Sequence, residues 1–151
     1  MATVTVAAIN EEIWNNFYSL ISGLTDPASR TGSPKWIVSS FPDTDIDTIG
    51  YPIVEISSPN VEFSKFTFRK KNVYSCKIRI TVHTKKAAYA DQLADDIIAI
   101  FNSSTNLNTL YAANIVRLEM SGSDYTTVIR NGNKIHEKSL TYSFRFYGSV
   151  S

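Results

Sequence analysis

The stretch Tyr74-Ser75-Cys76-Lys77-Ile78-Arg79-Ile80-Thr81-Val82-His83-Thr84-Lys85-Lys86-Ala87 decides the architecture. Its first part repeats with a period of two. Tyr74, Cys76, Ile78, Ile80 and Val82 share one face of a strand, and Ser75, Lys77, Arg79, Thr81 and His83 share the other. At Thr84 the period changes to that of a helix. Ala87, Ala90, Leu93, Ala94, Ile97, Ile98 and Phe101 then make one apolar stripe, with Asp91, Asp95 and Asp96 on the polar side and Thr84 placed as a cap. A strand with one apolar and one basic face, followed at once by an amphipathic helix, predicts a sheet with helices packed on one side.

Upstream, Val61–Phe68 alternates through Phe63 and then Phe66 and Phe68, and Arg69-Lys70-Lys71-Asn72 reads as the turn of a hairpin into the strand above. Tyr51–Ile56 is a shorter apolar strand. Residues 25–50 form an irregular connection punctuated by Pro27, Gly32, Pro34, Pro42 and Gly50, with a short strand expected from Trp36 to Phe41. Before it, Val6, Ile9, Ile13, Phe17, Leu20, Ile21 and Leu24 step by three and four and predict a helix, capped by Thr3 or Thr5 and stopped near Gly23. Downstream, Ser103-Ser104-Thr105-Asn106 ends the second helix. Val116, Leu118 and Met120 alternate until Ser121-Gly122-Ser123-Asp124 interrupts them. Tyr125–Arg130 leads into Asn131-Gly132-Asn133, a strong hairpin signal, and Leu140, Tyr142, Phe144 and Phe146 alternate against Ser139, Thr141, Ser143 and Arg145. The predicted order is α-β-β-β-β-α-β-β-β. That is an α+β fold, an antiparallel sheet with long β-hairpins packed by two main helices.

The 151 residues fit a single domain spanning 1–151. A composition of 43% hydrophobic and 19% charged residues excludes a disordered chain. One cysteine excludes an intrachain disulfide or a cysteine-based zinc site, and two histidines exclude a histidine-rich metal centre. No apolar run approaches the roughly 18 residues needed to span a bilayer, and the start lacks the basic region of a signal peptide. A soluble, intracellular protein without membrane contact is expected.

The formal charge of +1 conceals strong blocks. Residues 1–62 hold eight acids against Arg30 and Lys35, whereas 63–90 hold eight bases and no acid. Residues 91–124 are again acidic and 125–151 again basic. Blocks of this kind meet their opposites either within one fold or on a neighbouring copy, and head-to-tail assembly is the sharper of the two readings.

Motifs for chemistry are sparse. The six glycines are scattered, with no phosphate cradle and no G-x-S-x-G elbow. Asp43, Asp45 and Asp47 open like a calcium loop, but Thr48 and Val54 stand where the loop needs glycine and glutamate. His83 and His136 have no acid and nucleophile nearby in sequence, and Cys76 falls in the apolar row of its strand, so it reads as core. No catalytic, cofactor-binding or metal residues are assigned, and a non-enzyme is expected. Phe63, Phe66, Phe68 and Tyr74 interleave with Lys65, Arg69, Lys70 and Lys71, as stacking platforms beside phosphate-pairing cations do. A hairpin with a buried aromatic face and basic exposed positions accounts for the same pattern.

The order and spacing resemble the tail terminator (tail completion) proteins of long-tailed bacteriophages and related viruses. The likeness rests on the helix around Ile9–Leu24, the proline-rich connection, and Tyr51-Pro52-Ile53-Val54-Glu55-Ile56 leading into the long hairpin. It continues through Lys85-Lys86-Ala87-Ala88-Tyr89-Ala90-Asp91-Gln92-Leu93-Ala94 and from Asp124-Tyr125-Thr126-Thr127 to Leu140-Thr141-Tyr142-Ser143-Phe144-Arg145-Phe146. The resemblance implies a virion protein at the head–tail junction. Such a protein forms a hexameric ring that caps the tail tube, terminates its polymerisation and joins it to the head connector, with double-stranded DNA passing through the lumen. The implied partners are further copies of the chain, the tail tube protein and the connector or head-completion protein. The resemblance brings no catalytic residue and no cofactor. Subunit-interface or lumen candidates are Arg69, Lys70 and Lys71 at the first hairpin tip, Lys77 and Arg79 on its strand, and Arg130 and Lys134 beside the second hairpin. Another neck or tail component, such as a head-completion protein or tube subunit, and a small nucleic-acid-binding module are the alternative readings.

Overall fold

The computed structural model describes residues 6–30, 36–43, 45–68 and 71–149, without the side chains of 6–8, 63–68, 71–72 and 149. Its elements are α1 (Val6–Ile21), β1 (Ile37–Val38), α2 (Ile46–Ile49), β2 (Ile53–Ile56), β3 (Asn60–Phe68), β4 (Lys71–Thr84), α3 (Ala87–Asn102), α4 (Ser104–Ala112), β5 (Ile115–Arg130) and β6 (Asn133–Ser149). The fold is α+β, as the periodicities predict. No helix among the described residues is long and apolar enough to cross a membrane.

One six-stranded sheet runs in the order β1-β2-β4-β6-β5, with β3 also on β4. At its centre β4 and β6 pair antiparallel from Lys71↔Ser149 to Thr84↔His136. β2 and β3 share the other edge of β4: β2 pairs with Ile80–His83 and β3 with Lys71–Lys77. Ser57 bridges the gap between them, its N–H donating to Arg79 O at 2.9 Å while its Oγ accepts from Arg79 N at 3.3 Å. Only β1 is parallel to its neighbour.

Period two decides what the sheet buries. Cys76 is opposite Phe144, Ile78 opposite Tyr142 and Ile80 opposite Leu140, and all six side chains are buried. α1 and α3 cover this face. Ile9, Ile13, Phe17 and Ile21 make the buried stripe of α1, and Ala90, Leu93, Ala94, Ile97 and Phe101 that of α3. The Phe17 ring lies 5.3 Å from Phe101 and 5.2 Å from Phe144, so one side chain joins both helices to the sheet. Trp14 Nε1 donates to Ile56 O at 2.8 Å and fixes α1 against β2.

Several details depart from the sequence reading, each for a local reason. The expected strand Trp36–Phe41 shortens to Ile37–Val38, which stand opposite Val54 and Glu55 of β2, with Trp36 O still accepting from Val54 N at 2.8 Å. Ser103 does not simply end the second helix. Its Oγ accepts from Asn106 N, so the same polar cluster that closes α3 caps α4, a helix the weak apolar pattern of 104–112 conceals. Thr84 is not the cap of α3; Lys86 occupies that position, and Thr84 Oγ1 accepts from its N–H instead. The Thr3 or Thr5 cap lies outside the described residues.

The two strands expected between 116 and 130 are one. Register shifts between Val116 and Glu119, and between Met120 and Gly122, mark bulges. The first, where Arg117 has φ +54°, puts Val116 opposite Arg145 and gives the core position to Ile115. Val116 therefore does not share a face with Leu118 and Met120. The second bulge carries the strand through Ser121-Gly122 and changes its phase, so Ser123 and Tyr125 follow Met120 on the helix side. A third, between Ser64 and Thr67, coincides with the slip from Phe63 to Phe66 in the sequence. The β5–β6 turn holds Asn131 at φ +50° and Gly132 at φ +77°, a type I′ turn that matches the twist of the strands.

Replacing Phe17 with alanine removes the ring that all three layers share and is expected to cost about 3–5 kcal/mol. Replacing Ile129, which is 77% exposed, is expected to cost under about 0.5 kcal/mol. Urea unfolding of the two variants checks the contrast, and equal midpoints contradict the packing described.

Candidate interaction surface: the uncovered face of the sheet

The second face of the sheet is divided in two. At one end it is covered by the connection that carries α2. The Phe41 ring lies 4.8 Å from His83, and the guanidinium of Arg130 lies 4.3 Å above the Phe41 ring. Beneath them His83 is only 3% exposed, although it belongs to the polar row of β4. Its Nε2 meets Glu55 Oε1 at 3.0 Å in a hydrogen bond, and its Nδ1 faces Glu137 Oε1 at 3.3 Å outside hydrogen-bond geometry. Arg130 pairs with the same Glu137 at 3.4 Å and with Asp43 at 3.3 Å. Glu55 comes from β2, His83 from β4 and Glu137 from β6. Arg130 from β5 and Asp43 from the connection complete the cluster, which ties four strands to the segment covering them. Among the described contacts of His83 are two carboxylates and a ring, but no hydroxyl or thiol, so no nucleophile–base pair is assembled there.

At the other end the same face is open. Asn60 and Glu62 of β3, Ser75 and Lys77 of β4, Ser143 and Arg145 of β6, and Arg117 and Glu119 of β5 line a shallow groove of about 330 Å³. Arg79, opposite Thr141, extends the patch toward the covered end. Lys77, Arg79, Arg117 and Arg145 are exposed and form no ion pair among the described residues. Among the described side chains, no lysine or arginine of block 63–90 forms an ion pair with an acid of block 1–62, although Glu62 lines the same groove as Lys77.

The structure thus brings together only part of the expected set. Lys77 and Arg79 lie on the open face. Lys134 is exposed beyond the turn at the far end of the hairpin, opposite Ile129. Arg130 is half-buried and spent on Glu137, Asp43 and Phe41. Arg69 and Lys70 lie outside the described residues, as do the side chains of Lys71, Lys65, Phe63, Phe66 and Phe68. Arg117 and Arg145 join the patch from other parts of the sequence. Arg145 was visible in the polar row of the last strand. Arg117 was not, because the bulge at its own position turns it to this face. The His83 cluster left no local signal, since its carboxylates lie 28 and 54 positions away.

The remaining groups with chemical potential have structural places. Asp45 stands at the N-cap position of α2 and Asp47 in its first turn, and among the described residues no group of three or more ligating side chains could hold a metal ion. Cys76 is buried, as its place in the apolar row predicted, and burial pushes its thiol up to about 12.

No family model and no curated protein matches the sequence. Among solved structures, a chain of "Virion of native gene transfer agent (GTA) particle" has a similar fold. It superposes with a TM-score of 0.62 at 14% identity, over 97% of this chain and 100% of that one. At that identity the likeness concerns the fold.

The state of Cys76 carries a pH expectation. Its folded value is raised above the ordinary 9.0, so its contribution to stability is complete below about pH 9 and is lost as pH rises toward about 12. A maleimide or disulfide reagent at pH 8 is expected to label the folded protein slowly and the urea-unfolded protein at once. Rapid stoichiometric labelling of the folded chain contradicts the burial.

Proposed function

We propose that the chain is a virion structural protein of a tailed phage or related particle. It forms a hexameric ring that caps the tail tube, stops its polymerisation and joins it to the head connector. The observation that carries this reading is the end-to-end fold likeness to a chain of a gene transfer agent virion, with nearly the whole of both chains aligned. It agrees with the tail terminator resemblance of the sequence, which also spans nearly the whole chain. The work of such a protein is binding and geometry rather than chemistry, so it needs surfaces that self-associate and surfaces that meet tube and connector.

The exposed parts suit that task. β5 is an edge strand of 16 residues with a ladder partner on one side only among the described residues, and Met120, Tyr125 and Ile129 stand exposed along it. Its two bulges blunt the edge against uncontrolled strand pairing. The open basic face offers a second, chemically different surface. Such unlike surfaces let one meet a second copy while another meets the tube or connector.

Negative-stain electron microscopy of the purified chain mixed with tail tubes of the same virus tests the reading. Rings at one end of each tube are expected, with a light-scattering mass six times 16.9 kDa for the isolated ring. Incorporation along the tube identifies a tube subunit instead, and a chain that stays monomeric and leaves the tubes bare overturns the reading.

A further inference from the structure

In three dimensions the charges sort by face, not by position in the chain. The three long helices VAAINEEIWNNFYSLI, AAYADQLADDIIAIFN and STNLNTLYA contain Glu11, Glu12, Asp91, Asp95 and Asp96 and not one lysine, arginine or histidine. Glu11 and Glu12 project from the side of α1 opposite its buried stripe, Asp95 does the same on α3, and Asp91 lies on the flank of α3 within reach of the sheet. Among the described residues, Asp91 of these meets a cation, Lys138 at 2.9 Å, and the others form no ion pair. Across the sheet, Lys77, Arg79, Arg117 and Arg145 stand on the open face without ion pairs among the described residues. The helices are therefore acidic, although Lys134 and Lys138 of β6 share their side of the sheet, and the open face carries four cations against Glu62 and Glu119.

We propose that the open half of the sheet receives the α1–α3 helix face of a second copy of this chain. Lys77, Arg79, Arg117 and Arg145 of one copy then face Glu11, Glu12 and Asp95 of the next. The two surfaces are alike in size. A 16-residue helix is about 24 Å long and two side by side are about 20 Å across. Seven residues of strand are also about 24 Å long, and four strands spaced about 4.8 Å apart are roughly 15–20 Å across. The sheet face offers small, level side chains at Ser75, Thr141 and Ser143, against which the side chains of a helix can lie. Glu62 and Glu119 sit among its cations. They repel a phosphate backbone but give an alternating pattern that a protein partner can read. Because the two patches differ, each copy uses one of each, and repetition closes a ring or runs on as a filament. Closure at six copies rests on the function proposed above; the pairing of faces does not.

Charge reversal tests the pairing on the full chain. Variant one carries Lys77→Glu with Arg145→Glu, and variant two carries Glu11→Lys with Asp95→Lys. Each alone is expected to lose assembly by light scattering, with a dissociation constant raised about 100-fold or more. Mixed in equal amounts they are expected to assemble again, because the acidic sheet face of the first fits the basic helix face of the second, and the remaining two faces are as in the natural chain. Circular dichroism monitors folding, and Arg79→Glu with Arg117→Glu replaces variant one if that does not fold. Natural-chain rings that survive both reversals overturn the face assignment and leave the ring itself standing. Variants that fail to assemble singly and also when mixed overturn it as well. Intact assembly with lost binding of a short DNA duplex assigns the basic face to nucleic acid instead. A natural chain that assembles neither alone nor on tail tubes removes both this proposal and the function on which closure rests.

Discussion

The antiparallel ladder between β4 and β6 is the constraint on which the other features hang. Its register places Cys76, Ile78 and Ile80 opposite Phe144, Tyr142 and Leu140 on the helix side. On the reverse side it places Lys77 opposite Ser143 and His83 opposite Glu137. A slip of one residue in either strand would turn all of that strand's side chains to the other face. Each large apolar side chain kept inside contributes roughly 1.5–3 kcal/mol, so a slipped strand would lose an amount comparable to a domain's net stability. The helix layer, the covered end and the open end all follow from this one register.

On the reverse face, the contrast between the two ends is electrostatic as much as steric. At the covered end, groups from different segments meet one another: His83 lies between Glu55 and Glu137, and Arg130 between Glu137 and Asp43. Burying such groups is tolerable because they are paired. At the open end Lys77, Arg79, Arg117 and Arg145 are exposed and form no ion pair among the described residues. The same sheet therefore shows how this chain treats a charge it buries and a charge it leaves available.

Much of the fold was legible because period two and period 3.6 are properties of the sequence itself. The row from Tyr74 to Val82, the stripe from Ala87 to Phe101 and Asn131-Gly132 each specify local geometry without help from distant residues. What escaped were features set by tertiary partners. The bulge at Arg117 lets the chain insert residues without ending the strand, and polar residues at 121–124 look like a break either way. α4 has one fully buried residue, Leu110, and so almost no amphipathic signature. The candidate surface was half legible. Lys77 and Arg79 stood out in their own strand, whereas grouping charge by sequence block assigned the acidic side to residues 1–62 as a whole. In the structure, Asp43 and Glu55 of that block are engaged with Arg130 and His83. The acids on the proposed helix face come from α1 and also from α3, which belongs to a different block.

The central claim is that one copy's open sheet face meets the next copy's helix face. A photo-reactive amino acid placed at position 145 of the assembled protein, followed by mass spectrometry of the crosslinked peptides, tests it most directly. The account predicts intermolecular links to peptides of α1 or α3. Links between position 145 and the β5 or β6 strands of a second copy, sheet face to sheet face, would contradict it.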